Sequence, residues 1–168
     1  MKILITGIGC IGKSSLREKI SSDFPEKVIS VDMDFENEIP DIKNKIAVVE
    51  SVHGLEENPQ MFDKILYLLP PQGHLLFWLR RGWIWYATGI VDISEPKGRK
   101  KKFYLLNIPI IMKILFRNIF MRKKWVKADI ILLQKEYSDK TFIASSREEG
   151  YRAIESWIRH FIRKMEVI

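Results

Sequence analysis

Residues 2–20 read Lys-Ile-Leu-Ile-Thr, then Gly-Ile-Gly-Cys-Ile-Gly, then Lys-Ser-Ser-Leu-Arg-Glu-Lys-Ile, and no other stretch limits the fold as tightly. The unbroken apolar run at 3–5 is the pattern of a parallel strand buried on both faces. Leu16 and Ile20, four residues apart, mark one face of a helix that follows almost at once. Between them, glycine is the residue that permits positive φ, which turns successive backbone N–H groups inward and makes a concave anion site at a helix N-terminus. The spacing Gly7, four residues, Gly12, Lys13, Ser14 satisfies Gly-x-x-x-x-Gly-Lys-Ser/Thr in full. The competing reading is a plain strand-to-helix turn followed by an incidental lysine.

On these residues the chain resembles the P-loop NTPases. The resemblance implies an α/β fold of three layers, with a mainly parallel five-stranded sheet and a helical, lid-like insertion. It implies ATP as the nucleotide, with Gly7, Ile8, Gly9, Cys10, Ile11, Gly12, Lys13, Ser14 and Ser15 around its phosphates. Lys13 is then expected to reach the β- and γ-phosphates and Ser14 to take a place on Mg²⁺.

Later apolar runs fit alternating strands and helices. Val28–Val31 predicts a second strand leading into Asp32-Met33-Asp34, and Ile46–Val49 a third leading into Glu50. Ile65–Leu69 predicts a fourth, stopped by Pro70-Pro71, since proline cannot donate to a central ladder. Ile130–Leu133 and Thr141–Ala144 are both candidate last strands. Ser146–Lys164 predicts the strongest helix, with Tyr151, Ile154, Trp157, Ile158, Phe161 and Ile162 along one side. One domain over 1–168 is expected, interrupted at about 72–127 by an aromatic and then basic helical insertion, the place where a mobile lid would sit.

Acids directly after strands draw attention because open parallel sheets bind ligands at the strands' carboxyl ends. Glu50 looks like a Walker B acid that holds Mg²⁺ directly or through water; alternatively it is an exposed strand-end carboxylate. Asp32-x-Asp34 is similar to the Asp-x-Asp of the shikimate and gluconate kinases in the nucleoside monophosphate kinase-like group. In that resemblance Asp32 supports the metal and Asp34 meets the acceptor hydroxyl as binder or general base. The alternative is a pair of solvated acids in a loop that also holds Glu36 and Glu38. Arg80 and Arg81, on an expected helix over 75–86, stand where lid arginines of these kinases grip the transferring phosphoryl group; the alternative, expected for at least one of the pair, is an ordinary helix-surface arginine. The insertion itself matches no pattern of that group. Eleven residues between Asp34 and Ile46 are too few for its acceptor-binding subdomain.

Charge is the second informative feature. The 168 residues carry 28 basic and 21 acidic side chains, a net +7. Eleven of the basic residues fall between Lys97 and Lys127 without a single acid, so the remaining 17 face all 21 acids. That segment is expected to meet an anionic acceptor or partner. Phe103, Tyr104, Phe116, Phe120 and Trp125 among the charges suit RNA or single-stranded DNA, or an anionic membrane surface; the default alternative is that they pack the lid against the sheet. The run Phe103–Met121 is broken by Asn107, Pro109, Lys113, Arg117 and Asn118 and makes a poor transmembrane span. The one cysteine, Cys10, excludes an internal disulfide and suits a reducing compartment, and no leader is expected ahead of the glycine loop; both point to the cytoplasm.

These features favour a kinase that uses Mg-ATP on an anionic acceptor. A GTPase-like or nucleotide-gated binding protein is the rival. The GTPase version reads Ala128–Lys135 as a strand leading to a base-recognition motif, with Gln134 where asparagine is usual and no aspartate two residues after Lys135.

Overall fold

The computed structural model describes residues 1–8, 11–32, 42, 45–51, 55, 58–70 and 108–166, apart from the side chains of 108–120 and 122. Gly9, Cys10, Asp34, Arg80, Arg81, the expected helix over 75–86 and the basic residues 97–102 lie outside them. The chain divides into two compact units, one of Met1–Pro71 with Ala128–Ile168 and one of Gln72–Lys127.

The first unit holds an all-parallel sheet of five strands: β1 (Lys2–Thr6), β2 (Val28–Asp32), β3 (Ile46–Glu50), β4 (Lys64–Leu68) and β5 (Thr141–Ala144). Their order across the sheet is β2-β3-β1-β4-β5. Helices α1 (Lys13–Asp23), α2 (Ile108–Glu136) and α3 (Arg147–Glu166), with a short 3-10 turn at Pro59–Met61, complete the described elements. Central β1 is flanked on both sides, so Ile3, Leu4 and Ile5 are all fully buried, as the unbroken apolar run requires.

Side-chain alternation sorts the strands' two faces. Ile3 and Ile5 of β1, Ile46 and Val48 of β3, Leu66 and Leu68 of β4 and Ala144 of β5 form one core cluster with Leu16 and Ile20 of α1 and Ile154 and Ile158 of α3. Gly150 lets α3 come this close, because a Cβ there would lie 3.0 Å from Leu66 and 3.3 Å from Leu16. The start of α3 is tied locally: the backbone N–H and hydroxyl of Ser145 donate to the Glu149 carboxylate, and the Ser146 hydroxyl accepts from the Glu149 N–H.

Tyr67 alternates to the opposite face, where its hydroxyl donates to Asp129 Oδ2 at 2.7 Å. That contact corrects one expectation. Residues 130–133 are not a strand; they lie in α2. Four consecutive apolar residues suit a strand or a helix equally, and here the helical period decides: Asp129 and Leu133, four apart, both face inward, whereas Ile131 is 53% exposed. Burial and the Asp129 hydrogen bond hold the Tyr67 hydroxyl far above its ordinary pKa of 10, so it stays a donor at any working pH. Removing it as Tyr67→Phe is expected to cost about 1.5–3 kcal/mol of unfolding free energy, the range for a hydrogen bond to a charged acceptor. Chemical denaturation of the two proteins measures the difference.

Candidate functional site

The glycine loop and the two described strand-end acids lie at the carboxyl ends of β1, β2 and β3. In the order β2-β3-β1-β4-β5, β2 and β3 lie on one side of β1 and β4 and β5 on the other. Gly7 and Gly12 stand at the two ends of the β1–α1 loop with φ of +130° and +96°. Both require glycine for conformation. Gly7 requires it for space as well, since a Cβ would sit 2.6 Å from the Leu68 carbonyl oxygen.

Gly12 occupies the N-cap of α1 in a left-handed conformation and without a side-chain cap. Lys13, only 3% exposed, folds back over the loop: its ammonium donates to the carbonyls of Gly7 and Ile8, each at 3.1 Å. The Lys13 ammonium thus rests on the carbonyls that follow β1, beside the positive terminus of α1, an arrangement able to receive an anion. Ile11 is buried beneath the loop, while Ser14 and Ser15 begin the helix on its exposed side.

Ser14, Asp32 and Glu50, three residues expected near a metal, converge. The Ser14 hydroxyl donates to Glu50 Oε1 at 2.8 Å. Asp32 and Glu50 are paired neighbours at the ends of β2 and β3. Glu50 is 6% exposed, which overturns its reading as an exposed strand-end carboxylate. Asp32 is likewise held in an ion pair rather than left fully solvated. A residue that the sequence did not single out joins them: Arg17 places Nε 3.2 Å from Glu50 Oε2 and Nη2 3.5 Å from Asp32 Oδ2. The Arg17 Nε and Glu50 Oε2 atoms are buried and close but not aligned as a hydrogen bond. The signal was present in the spacing, because Arg17 follows Ser14 by three positions and therefore shares its helix face.

Arg147 was also passed over. It opens α3, and its side chain lies against Gly12, where a Cβ would come 2.6 Å from Arg147 Cδ.

Burial raises the Glu50 pKa above its ordinary 4.5, with Asp32 adding to the rise and Ser14, Lys13 and Arg17 opposing it. A carboxyl whose folded pKa is raised stabilises the fold below the unfolded value and loses that contribution as pH climbs through the folded one. The stability of wild type relative to Glu50→Gln is therefore expected to fall as pH rises from about 4.5 toward neutrality. Denaturation at a series of pH values reads it, and a relative stability that rises with pH would contradict the burial-dominated environment.

Ser14 Oγ and the Glu50 carboxylate are hard oxygen donors, and Glu50 Oε2 is a buried atom with no aligned hydrogen bond. They fit a small divalent cation such as Mg²⁺, which takes oxygen ligands and keeps several waters. Among the described residues no cluster of three or more His, Cys, Asp or Glu forms a cage. No protein-family model matches the sequence, and no curated protein matches it significantly.

Proposed function

We propose that this chain binds ATP at the β1–α1 loop and transfers its γ-phosphoryl group to an anionic acceptor. The observation that carries the proposal is the pairing of Gly7 and Gly12 at positive φ with Lys13 buried inside the loop they bound.

In this reading the amides from Gly7 to Ser15 receive phosphate oxygens, and Lys13 exchanges its two carbonyl partners for the β- and γ-phosphates. Ser14 and Glu50 would hold Mg²⁺, which would supply positive charge to offset that of the phosphates. Asp32, next to Glu50, supports that site from the second strand. Asp34 then orients the acceptor hydroxyl and accepts its proton, and Arg80 with Arg81 meets the charge on the transferring group; these three roles rest on the sequence.

Acceptor charge is read from the basic segment. Lys123, Lys124 and Lys127 of α2 are exposed, as is Trp125 at 37%. The same exposed residues favour, as the second reading, a nucleotide-gated protein that docks on nucleic acid or an anionic lipid surface. No helix among the described residues is long and apolar enough to cross a membrane. The GTPase version loses its main support, since residues 128–135 are helical and not a strand leading to a base-recognition loop.

ADP release from Mg-ATP, measured alone and with pools of metabolites, nucleosides and short RNA, tests the proposal. Release that rises with one pool establishes transfer to that class. Slow release indifferent to every pool rejects the kinase and leaves the nucleotide-gated reading. As a further expectation, Asp34→Asn keeps ATP binding but loses transfer by about 10²- to 10⁴-fold, the usual worth of a positioned general base; unchanged transfer removes Asp34 from the site.

A further inference from the structure

We infer that Arg17 is an exchangeable counter-cation: it pairs with the strand-end carboxylates of Asp32 and Glu50, and a divalent cation must displace it from Glu50. The inference rests on the reading that Ser14 and Glu50 serve such a cation, and it adds what controls access to them.

Asp32 and Glu50 are adjacent in register on parallel strands, so two carboxylates are held side by side by the sheet itself. Like charges at that separation oppose one another unless a cation lies between them. Arg17 supplies it from α1, with Nε 3.2 Å from Glu50 and Nη2 3.5 Å from Asp32. Its side chain is 14% accessible and those of its partners 19% and 9%, which makes this an enclosed charge cluster and not a surface pair.

Geometry suggests how the exchange proceeds. Glu50 uses its two oxygens differently: Oε1 accepts from Ser14 at 2.8 Å, while Oε2 faces Arg17. A cation bound by Ser14 Oγ and Glu50 would meet the guanidinium across one carboxylate, and the two positive charges repel at that distance. Asp32 is Arg17's second partner, so the guanidinium can leave Glu50 without being stranded. The Nε to Oε2 contact, close but misaligned, is the weaker of the bonds Glu50 makes and the natural one to open. Arg17 thereby keeps the carboxylates apart from stray cations and ties metal entry to a ligand that supplies further oxygens.

The test is Mn²⁺ binding to the full chain, followed through loss of the free-ion electron paramagnetic resonance signal. Arg17→Met is expected to bind Mn²⁺ about tenfold more tightly than wild type, the scale of one enclosed ion pair's coupling. Equal or weaker binding by a folded Arg17→Met protein overturns the inference. A wild type that binds Mn²⁺ no better than Glu50→Gln defeats the cation site itself, and with it the Mg²⁺ role in the proposed function. Should Arg17→Met not fold, the wild type decides by nuclear magnetic resonance: Mg²⁺ is expected to shift the Arg17 Nε–Hε signal and speed its exchange. A signal unmoved while Ser14 and Glu50 respond means that Arg17 stays in place, and the inference fails.

Discussion

Replacing Lys13 by alanine is expected to lower ATP turnover by about 10²- to 10³-fold or more, the cost of deleting a preorganised charge at developing phosphate charge. The fold should survive. Lys13 contributes two charge-assisted hydrogen bonds to Gly7 and Ile8 carbonyls, but it also carries an ammonium that is 3% exposed. Those bonds and the desolvation of the charge oppose each other, and alanine removes both, leaving a helix-compatible residue at the start of α1. ADP release and thermal unfolding of the same preparation separate the two effects. Wild-type turnover by a folded Lys13→Ala protein would reject the loop as a phosphate site. A protein that fails to fold would show instead that the ammonium is needed to close the loop.

Gly7→Ala is expected to be the most damaging of the small substitutions. Two costs act together: φ of +130° lies where side chains are strained, and the new Cβ would stand 2.6 Å from the Leu68 carbonyl oxygen and 2.8 Å from Ile11 Cδ1. Leu68 is backbone at the end of β4 and cannot swing away. A loss of about 3 kcal/mol or more follows, which for a chain of this size lowers Tm by about 6–12 °C. Gly12→Ala provides the internal comparison. Its φ of +96° is also unfavourable, but the atoms its Cβ would meet belong to Arg147, a flexible side chain. Strain without a rigid clash should cost about 1–2 kcal/mol. Thermal unfolding of both variants checks the order, and a Gly12→Ala protein less stable than Gly7→Ala would show that the end of β4 yields more readily than its hydrogen bonding suggests.

Much of the fold was legible because the informative runs were long and flanked by clear stops. Strands at 2–6, 28–32, 46–50, 64–68 and 141–144 lie within one or two residues of the expected runs, and the last helix spans 147–166 against an expected 146–164. The failure at 130–133 has a definite cause. An apolar run of four carries no period, and only its continuation from Ile108 and the inward pairing of Asp129 with Tyr67 assign it to a helix.

The candidate site divides along the same line. Gly7, Gly12, Lys13 and Ser14 are neighbours in the chain, so their spacing alone states the backbone geometry required and the charge it encloses. Asp32 and Glu50 could be read only as strand-end acids, since nothing local says whether a carboxylate is solvated or enclosed. Parallel pairing of β2 with β3 sets them side by side, and α1, laid along the sheet by Leu16 and Ile20, carries Arg17 to them. Local sequence therefore determined the loop, because its conformation depends on residues in contact through the backbone. Only the tertiary structure decided which charges meet, because burial and ion pairing depend on strand order and helix placement over 15 to 33 positions of chain separation.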